Sequence, residues 1–95
     1  MLIQQKETGK KGKFFIEAGG KELAEMLYTL KEPGLMTIDH TEVDDELQGK
    51  NVGYHLVSKG AEYAREKNLK IIPLCTFAAA IFKKKPAEFA DVLNP

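Results

Sequence analysis

The chain has 95 residues, enough for one modest hydrophobic core and too few for a separate substrate domain. Its 14 basic side chains balance 14 acidic ones, and its longest apolar runs fall short of the ~20 residues that span a bilayer, which argues against nucleic-acid and membrane partners. A 43% hydrophobic composition with a single cysteine predicts one ordered domain over residues 1–95, without an internal disulfide. No spacing typical of metal ligands occurs and the N-terminus lacks an apolar leader, so we expect a cytoplasmic protein without a metal.

Turn residues divide the first half of the chain into short β-prone segments, which predict strands at 2–6, 13–18 and 35–43. The first two form a hairpin through residues 9–12, and Gly19-Gly20 ends it. Residues 21–31 fit both a helical stripe and one face of a strand, and periodicity alone slightly favours the helix. Pro33-Gly34 then predicts a tight turn, across which strands are expected to pair.

The second half is predicted to contain one short buried strand among helices, with helices at 52–66, 76–84 and 86–93 and the strand at 70–74. The first helix is the clearest, because Val52, Leu56, Gly60 and Ala64 recur at fourfold spacing. A strand, helix and strand of this length predict a parallel strand pair with a right-handed crossover.

The loop at residues 46–54 lies between a predicted strand and the start of the long helix. The first turn of a helix has unpaired N–H groups and a partial positive charge, and Gly49 would let those amides approach a phosphate or pyrophosphate. Alternatively, Gly49 only makes the turn, while Gly53 and Gly60 let the helix pack closely on the sheet. The loop matches neither the Gly-Lys-Ser/Thr phosphate loop nor the dinucleotide pattern, which argues against nucleotide hydrolysis and hydride transfer.

Three motifs in order resemble the small, single-domain branch of the GNAT acetyltransferase superfamily: Asp-His-Thr-Glu-Val at 39–43, Glu-Leu-Gln-Gly-Lys-Asn-Val-Gly at 46–53 and Ile-Pro-Leu-Cys-Thr-Phe at 72–77. The superfamily's coenzyme A loop is Gln/Arg-x-x-Gly-x-Gly/Ala. Gln48 and Gly53 occupy its first and last positions, whereas Asn51 replaces its first glycine. The resemblance implies an α+β GNAT-like fold, in which an antiparallel meander precedes a β-α-β unit and C-terminal helices. Residues 21–31 are therefore expected to be a strand.

The resemblance also implies acetyl-CoA as co-substrate, an amine as acceptor, and a site where the strands at 35–43 and 70–74 splay apart. The expected cofactor contacts are Thr41, Val43, Gln48, Gly49, Lys50, Asn51, Val52, Gly53, Tyr54 and Leu74. His40 and Glu42 share one strand face and are candidate catalytic bases. Cys75, just before a helix, is a candidate acyl acceptor or base. Each also has a structural interpretation, as a sheet-edge histidine, a solvent-facing glutamate and a thiol that fills the core.

The absence of a tyrosine in the second helix predicts slow turnover. Many GNAT enzymes carry a tyrosine on the helix after the second splayed strand, where it protonates the leaving thiolate, but this chain has Ala80-Ile81-Phe82. A non-catalytic acyl-CoA-binding or CoA-binding module, or an interaction domain that has lost the ligand, is therefore the alternative to an N-acetyltransferase. The acidic segment around Asp44 suggests a basic amine, such as a protein lysine or a polyamine.

Overall fold

The computed structural model describes residues 2–94. Five strands form one sheet in chain order: β1 (Gln4–Thr8), β2 (Lys11–Ala18), β3 (Lys21–Lys31), β4 (Leu35–Val43) and β5 (Lys70–Pro73). Strands β1 to β4 are an antiparallel meander, and β5 pairs with β4 in parallel. The helices are α1 (Val52–Lys67), α2 (Thr76–Lys84) and α3 (Pro86–Phe89), and a 3₁₀ turn, Asp45–Leu47, precedes α1. The predicted α+β fold is confirmed, and among residues 2–94 no helix has the length and apolarity to cross a membrane.

Strand β3 is the segment whose periodicity favoured a helix. Met26 and Tyr28 are buried on the face that packs against α1, and Leu27 on the opposite face is half-buried. A strand with apolar residues on both faces imitates a helical stripe, which is why the pattern alone was misleading. The strand expected from the family resemblance is confirmed.

Helix α1 lies close against the sheet because Gly60 has no side chain. A Cβ added there would lie 2.8 Å from Cε of Met26, which is fully buried in β3. Gly53 has a different neighbour, since its added Cβ would lie 2.3 Å from Cε1 of Phe77 in α2. The packing interpretation therefore holds for Gly60, whereas Gly53 lets α1 pack closely against α2 and not against the sheet.

The sheet opens at the C-terminal ends of β4 and β5. Tyr28 pairs with Ile38 and Leu27 with His40, so Asp39 is an extra residue that forms a bulge in β4. Strand β4 pairs with β5 only as far as Ile38 and Pro73. Residues 39–43 have no strand partner on the β5 side within the described chain, and this gap is the splay that the resemblance implied.

Three predicted elements have bounds that are wrong by two residues or more. The second strand begins at Lys11 rather than at residue 13. The first strand is Gln4–Thr8 rather than 2–6, because Thr8 pairs with Lys11 across a two-residue turn and extends the hairpin. The last helix ends at Phe89 rather than at residue 93. Leu93 forms a parallel bridge with Ile71 instead, and the N–H of residue 94 donates to the Ile71 carbonyl at 2.9 Å.

Candidate functional site

The loop before α1 presents unpaired backbone N–H groups. Asn51 precedes the helix in the left-handed conformation, with φ 60°, and its side chain makes no capping hydrogen bond. The N–H of His55 donates to the Asn51 carbonyl at 3.2 Å, whereas the N–H groups of residues 52–54 have no acceptor within residues 2–94. Gly49 is also left-handed, with φ 79°. Asparagine tolerates this backbone conformation better than most residues, so Asn51 can replace the glycine and the amides are free for an anion.

A cavity of about 240 Å³ lies between this loop and α2. Seven of the ten expected cofactor contacts line it: Val43, Gln48, Gly49, Asn51, Val52, Gly53 and Tyr54. Lys50 is exposed outside this lining, and Thr41 and Leu74 lie at the gap between the strands. The opposite wall comes from α2 and the residue after it, through Phe77, Ile81, Lys84 and Lys85.

These four side chains were not among the residues expected from the sequence. Their spacing of three to four residues along one helix is the signal that could have identified this face. The basic cluster at 83–85 was visible in the sequence, but only the fold shows that its second and third lysines face the loop cavity.

Gln48 connects the loop to the end of β4. Its Nε2 donates to the Val43 carbonyl at 3.4 Å. Asp44 orders the intervening turn by accepting the N–H of Glu46 at 2.9 Å, and this bond, followed by the charge of Lys21, holds the pKa of Asp44 below its usual value. The strand end, the 3₁₀ turn and the amide loop are therefore fixed relative to one another.

Cys75 and Thr41 face each other across the gap. The Cys75 thiol, which is half-buried, donates to Thr41 Oγ1 at 3.6 Å. Burial by itself would raise the pKa of this thiol. The backbone N–H groups of Ala78 and Phe77 in the first turn of α2, together with Thr41, outweigh the burial, so the pKa is lowered. The thiol does not complete a capping hydrogen bond, so the amides act on the sulfur as nearby dipoles.

The backbone N–H groups of residues 74 and 75, beside the gap, already donate to an acceptor. The N–H groups of Leu74 and Cys75 both donate to the Ile38 carbonyl at 3.0 Å, because the end of β5 stays attached to β4 through this one acceptor. These N–H groups are not available to an acyl chain in the gap, so a contact from Leu74 requires its carbonyl.

His40 and Glu42 lie on the opposite face of β4 from Thr41, which pairs with Met26 on the helix face. His40 Nε2 and Glu42 Oε1 are 3.4 Å apart, and both side chains are exposed. Glu25 pairs with Glu42 from β3, and one ligand atom each from Glu25, His40 and Glu42 lies within 4.8 Å of the others, a spacing that could hold a cation. The sequence did not indicate Glu25, because only the strand register brings it here.

A model of the family described as GCN5-related N-acetyl-transferase matches residues 13–92 of this chain. The chain belongs to the GCN5-related N-acetyltransferase family. The resemblance found in the three motifs is thereby confirmed. Members of this family bind acetyl-CoA as co-substrate together with an amine acceptor.

The chain is similar to three known proteins to different degrees. The solution structure of a GCN5-like, provisionally assigned N-acetyltransferase from Staphylococcus aureus is similar to it with a TM-score of 0.74 and 38% identity, over 96% of this chain and 87% of that one. Protein NATD1 of Gallus gallus is 25% identical over 98% of this chain and 86% of its own length. A ribosomal-protein-alanine N-acetyltransferase from Brucella melitensis shares the fold, with a TM-score of 0.67 and 16% identity over 79% of this chain and 60% of that one.

Proposed function

We propose that this protein transfers an acetyl group from acetyl-CoA to an amine, by direct attack in the gap between β4 and β5. The observation that carries the proposal is that the cavity with the free amides lies beside the gap that contains Cys75. Val43 ends β4 and lines the cavity, and Thr41, two residues earlier, contacts the Cys75 thiol. A linear cofactor with a diphosphate at one end and a thioester at the other suits this arrangement.

The diphosphate is held at the start of α1. The N–H groups of residues 52–54 have no acceptor in the described chain, and the helix is long enough, at 16 residues, to present a dipole there. Because Gly49 has no side chain, the anion can approach the amides closely. Val52 is buried, which keeps the first turn fixed against the core.

The amine attacks the thioester carbonyl from the exposed face of the sheet. A new carbon–nitrogen bond forms, the carbon–sulfur bond breaks, and coenzyme A leaves as the thiolate. His40 and Glu42 are both exposed on that face, and one of them takes the proton of the incoming ammonium. The developing oxyanion is stabilised by a main-chain N–H of β4, such as that of Thr41, which faces the Cys75 sulfur.

Cys75 offers a second route. Its thiolate could attack the thioester first, release coenzyme A and carry the acetyl group as a new thioester until the amine displaces it. The lowered pKa of the thiol and its position at the start of α2 support this role. In direct attack, the same thiol serves instead as a base or packs in the gap.

An acidic groove beside the gap supports a cationic acceptor. It has a volume of about 390 Å³ and its lining includes five carboxylates, Glu22, Glu25, Glu42, Asp44 and Asp45, but no basic residue. Lys13 pairs with Glu22 at 2.6 Å and Lys21 with Asp44 at 3.5 Å, so three of the five keep no lysine partner in the described chain. A lysine side chain or a polyamine would be attracted to this negative potential.

The test is acetyl transfer from acetyl-CoA to a panel of amines, with products and intact protein identified by mass spectrometry. We expect acetylated cationic amines in preference to neutral ones. Cys75→Ala should retain cofactor binding, and it should abolish transfer where the thiol carries the acetyl group. An acetyl adduct on Cys75 of the wild type before amine is added would indicate the thiol route. If Cys75→Ala transfers acetyl groups as fast as the wild type, the thiol has only a packing role. The absence of product with any amine would contradict the enzyme assignment.

The runner-up is an acyl-CoA-binding module without catalysis. Phe77 and Ile81, the α2 side chains on the cavity wall beyond the lysines, carry no proton donor for a leaving thiolate. Tyr54 is the tyrosine of the cavity lining, and its hydroxyl already donates to Glu88 at 2.6 Å. Binding of acetyl-CoA with no product from any amine would favour this reading.

A further inference from the structure

We propose that Lys84 and Lys85 select coenzyme A by binding the 3′-phosphate of its adenosine. This inference rests on the proposed function and assigns a basic cluster that the acetyl-transfer chemistry does not use. Both lysines line the cavity with the amide loop, and its lining contains no aspartate or glutamate. In a chain whose net charge is zero, this cavity therefore carries two positive charges.

Neither lysine is paired with a carboxylate within residues 2–94. The ion pairs of the described chain use other cations: Lys10, Lys13, Lys21, His40, Lys59 and Arg65. The helix dipole favours a lysine near a helix C-terminus, and this partly explains why Lys83 and Lys84 occupy the last turn of α2. The dipole does not explain why Lys84 and Lys85 line the cavity while Lys83 is exposed outside its lining.

Tyr54 holds Lys85 toward the loop. The Lys85 Nζ lies 5.4 Å from the centroid of the Tyr54 ring, in a cation–π contact. The ring is itself fixed, because its hydroxyl donates to Glu88 and because Tyr54 belongs to the first turn of α1. The ammonium group is thus kept beside the turn whose amides are free.

The chemistry of the ligand divides these donors into two sets. Coenzyme A carries a diphosphate with one charge on each phosphorus and a terminal phosphate monoester with nearly two. Directed backbone amides suit the diphosphate, which must be oriented so that the acyl chain reaches the gap. Flexible lysines are undirected point charges, and they suit an exposed terminal phosphate of higher charge.

The test is calorimetry with coenzyme A and with 3′-dephospho-coenzyme A. The wild type should bind coenzyme A more tightly. The Lys84→Gln/Lys85→Gln double variant should lose about tenfold in affinity for coenzyme A, as for one charge-assisted hydrogen bond, and change little toward the dephospho form. Lys83→Gln, which removes one neighbouring charge in the last turn of α2, should behave like the wild type.

The outcomes separate this inference from the proposed function. Equal losses for both ligands would assign the lysines to the diphosphate and overturn the selection of the 3′-phosphate. Equal binding of the two ligands by the wild type, or an equal loss in Lys83→Gln, would also overturn it while leaving the acetyltransferase proposal standing. If neither ligand binds the wild type, the proposed function itself fails.

Discussion

At the scale of single residues, Cys75 combines two opposed influences. It is half-buried, which disfavours a thiolate, but it precedes α2 and contacts Thr41, which favour one. The balance lowers its pKa. Its reactivity therefore depends on whether the Thr41 hydroxyl and the helix amides remain in place.

Replacing Thr41 with valine should make the Cys75 thiol less acidic. The change keeps the shape of the side chain and removes the hydroxyl that lies 3.6 Å from the sulfur. We expect the midpoint of the pH profile for iodoacetamide alkylation to move upward, so that the variant reacts more slowly at neutral pH. Thr29→Val is the control, because the Thr29 hydroxyl contacts Asp39 rather than the sulfur. An unmoved midpoint in Thr41→Val would contradict this account of the thiol.

Asn51 shows how a backbone requirement can be met by an unexpected residue. Its φ of 60° is a conformation that glycine and asparagine adopt more readily than other residues. Asn51→Ala should lower the free energy of unfolding by roughly 1 kcal/mol relative to Asn51→Gly, measured by urea denaturation. Because the wild-type side chain makes no capping bond, the loss comes from the backbone alone. Equal stability of the two variants would show that the loop relaxes to another conformation.

At the scale of elements, a carboxylate in β1 joins three parts of the fold. Glu7 Oε1 accepts the hydroxyl of Tyr28 in β3 at 2.6 Å and that of Tyr63 in α1 at 2.7 Å. These two bonds, that of Tyr28 first, lower the pKa of Glu7. Burial and the bond to Glu7 raise the pKa of Tyr63 to about 12, so this phenol remains a donor at neutral pH.

The hydrogen bonds of Glu7 make the free energy of unfolding depend on pH. Because the pKa of Glu7 is lower in the folded chain than in the unfolded one, its contribution is present above the unfolded pKa and is lost as the pH falls through the folded value. When the pH is lowered from 7 into the acid range, the urea midpoint of unfolding should therefore fall less in Glu7→Gln than in the wild type. Glu17→Gln is the matched control, since the Glu17 carboxylate has no hydrogen-bond partner in the described chain. A wild-type acid response in Glu7→Gln would contradict this role of Glu7.

Elements also show what sequence could and could not establish. The bounds of α2 were predicted as observed, and α1 extends one residue beyond the prediction, because fourfold spacing and turn residues are local signals. The end of α3 was missed because residues 92–94 contact β5, about 20 positions earlier in the chain, and no local pattern records such a contact. Strand β3 was recovered only through the family resemblance.

At the scale of the whole molecule, strand register rather than sequence motifs decides which residues come together at the candidate site. The loop at 46–54 and the residues His40, Glu42 and Cys75 were identified from the sequence. His40 and Glu42 lie on one face of β4, whereas Cys75 contacts Thr41 on the other, and the strand pairings that decide which face packs against the helices are not encoded locally in the sequence. The same register brings Glu25 to the acidic groove, and chain reversal after β5 brings Lys84 and Lys85 to the basic cavity. A chain of zero net charge thus has a basic cavity and a separate acidic groove, which we propose bind an anionic cofactor and a cationic acceptor.

The central claim is that the free amides at the start of α1 bind the diphosphate of acetyl-CoA. The most direct test is a titration of ¹⁵N-labelled protein with acetyl-CoA, followed residue by residue through the amide resonances. We expect the largest shifts at Gly49 and residues 51–54, followed by shifts at Cys75, with amides of the β1–β2 hairpin unchanged. Saturating acetyl-CoA that leaves the amides of 49–54 unmoved would contradict the account.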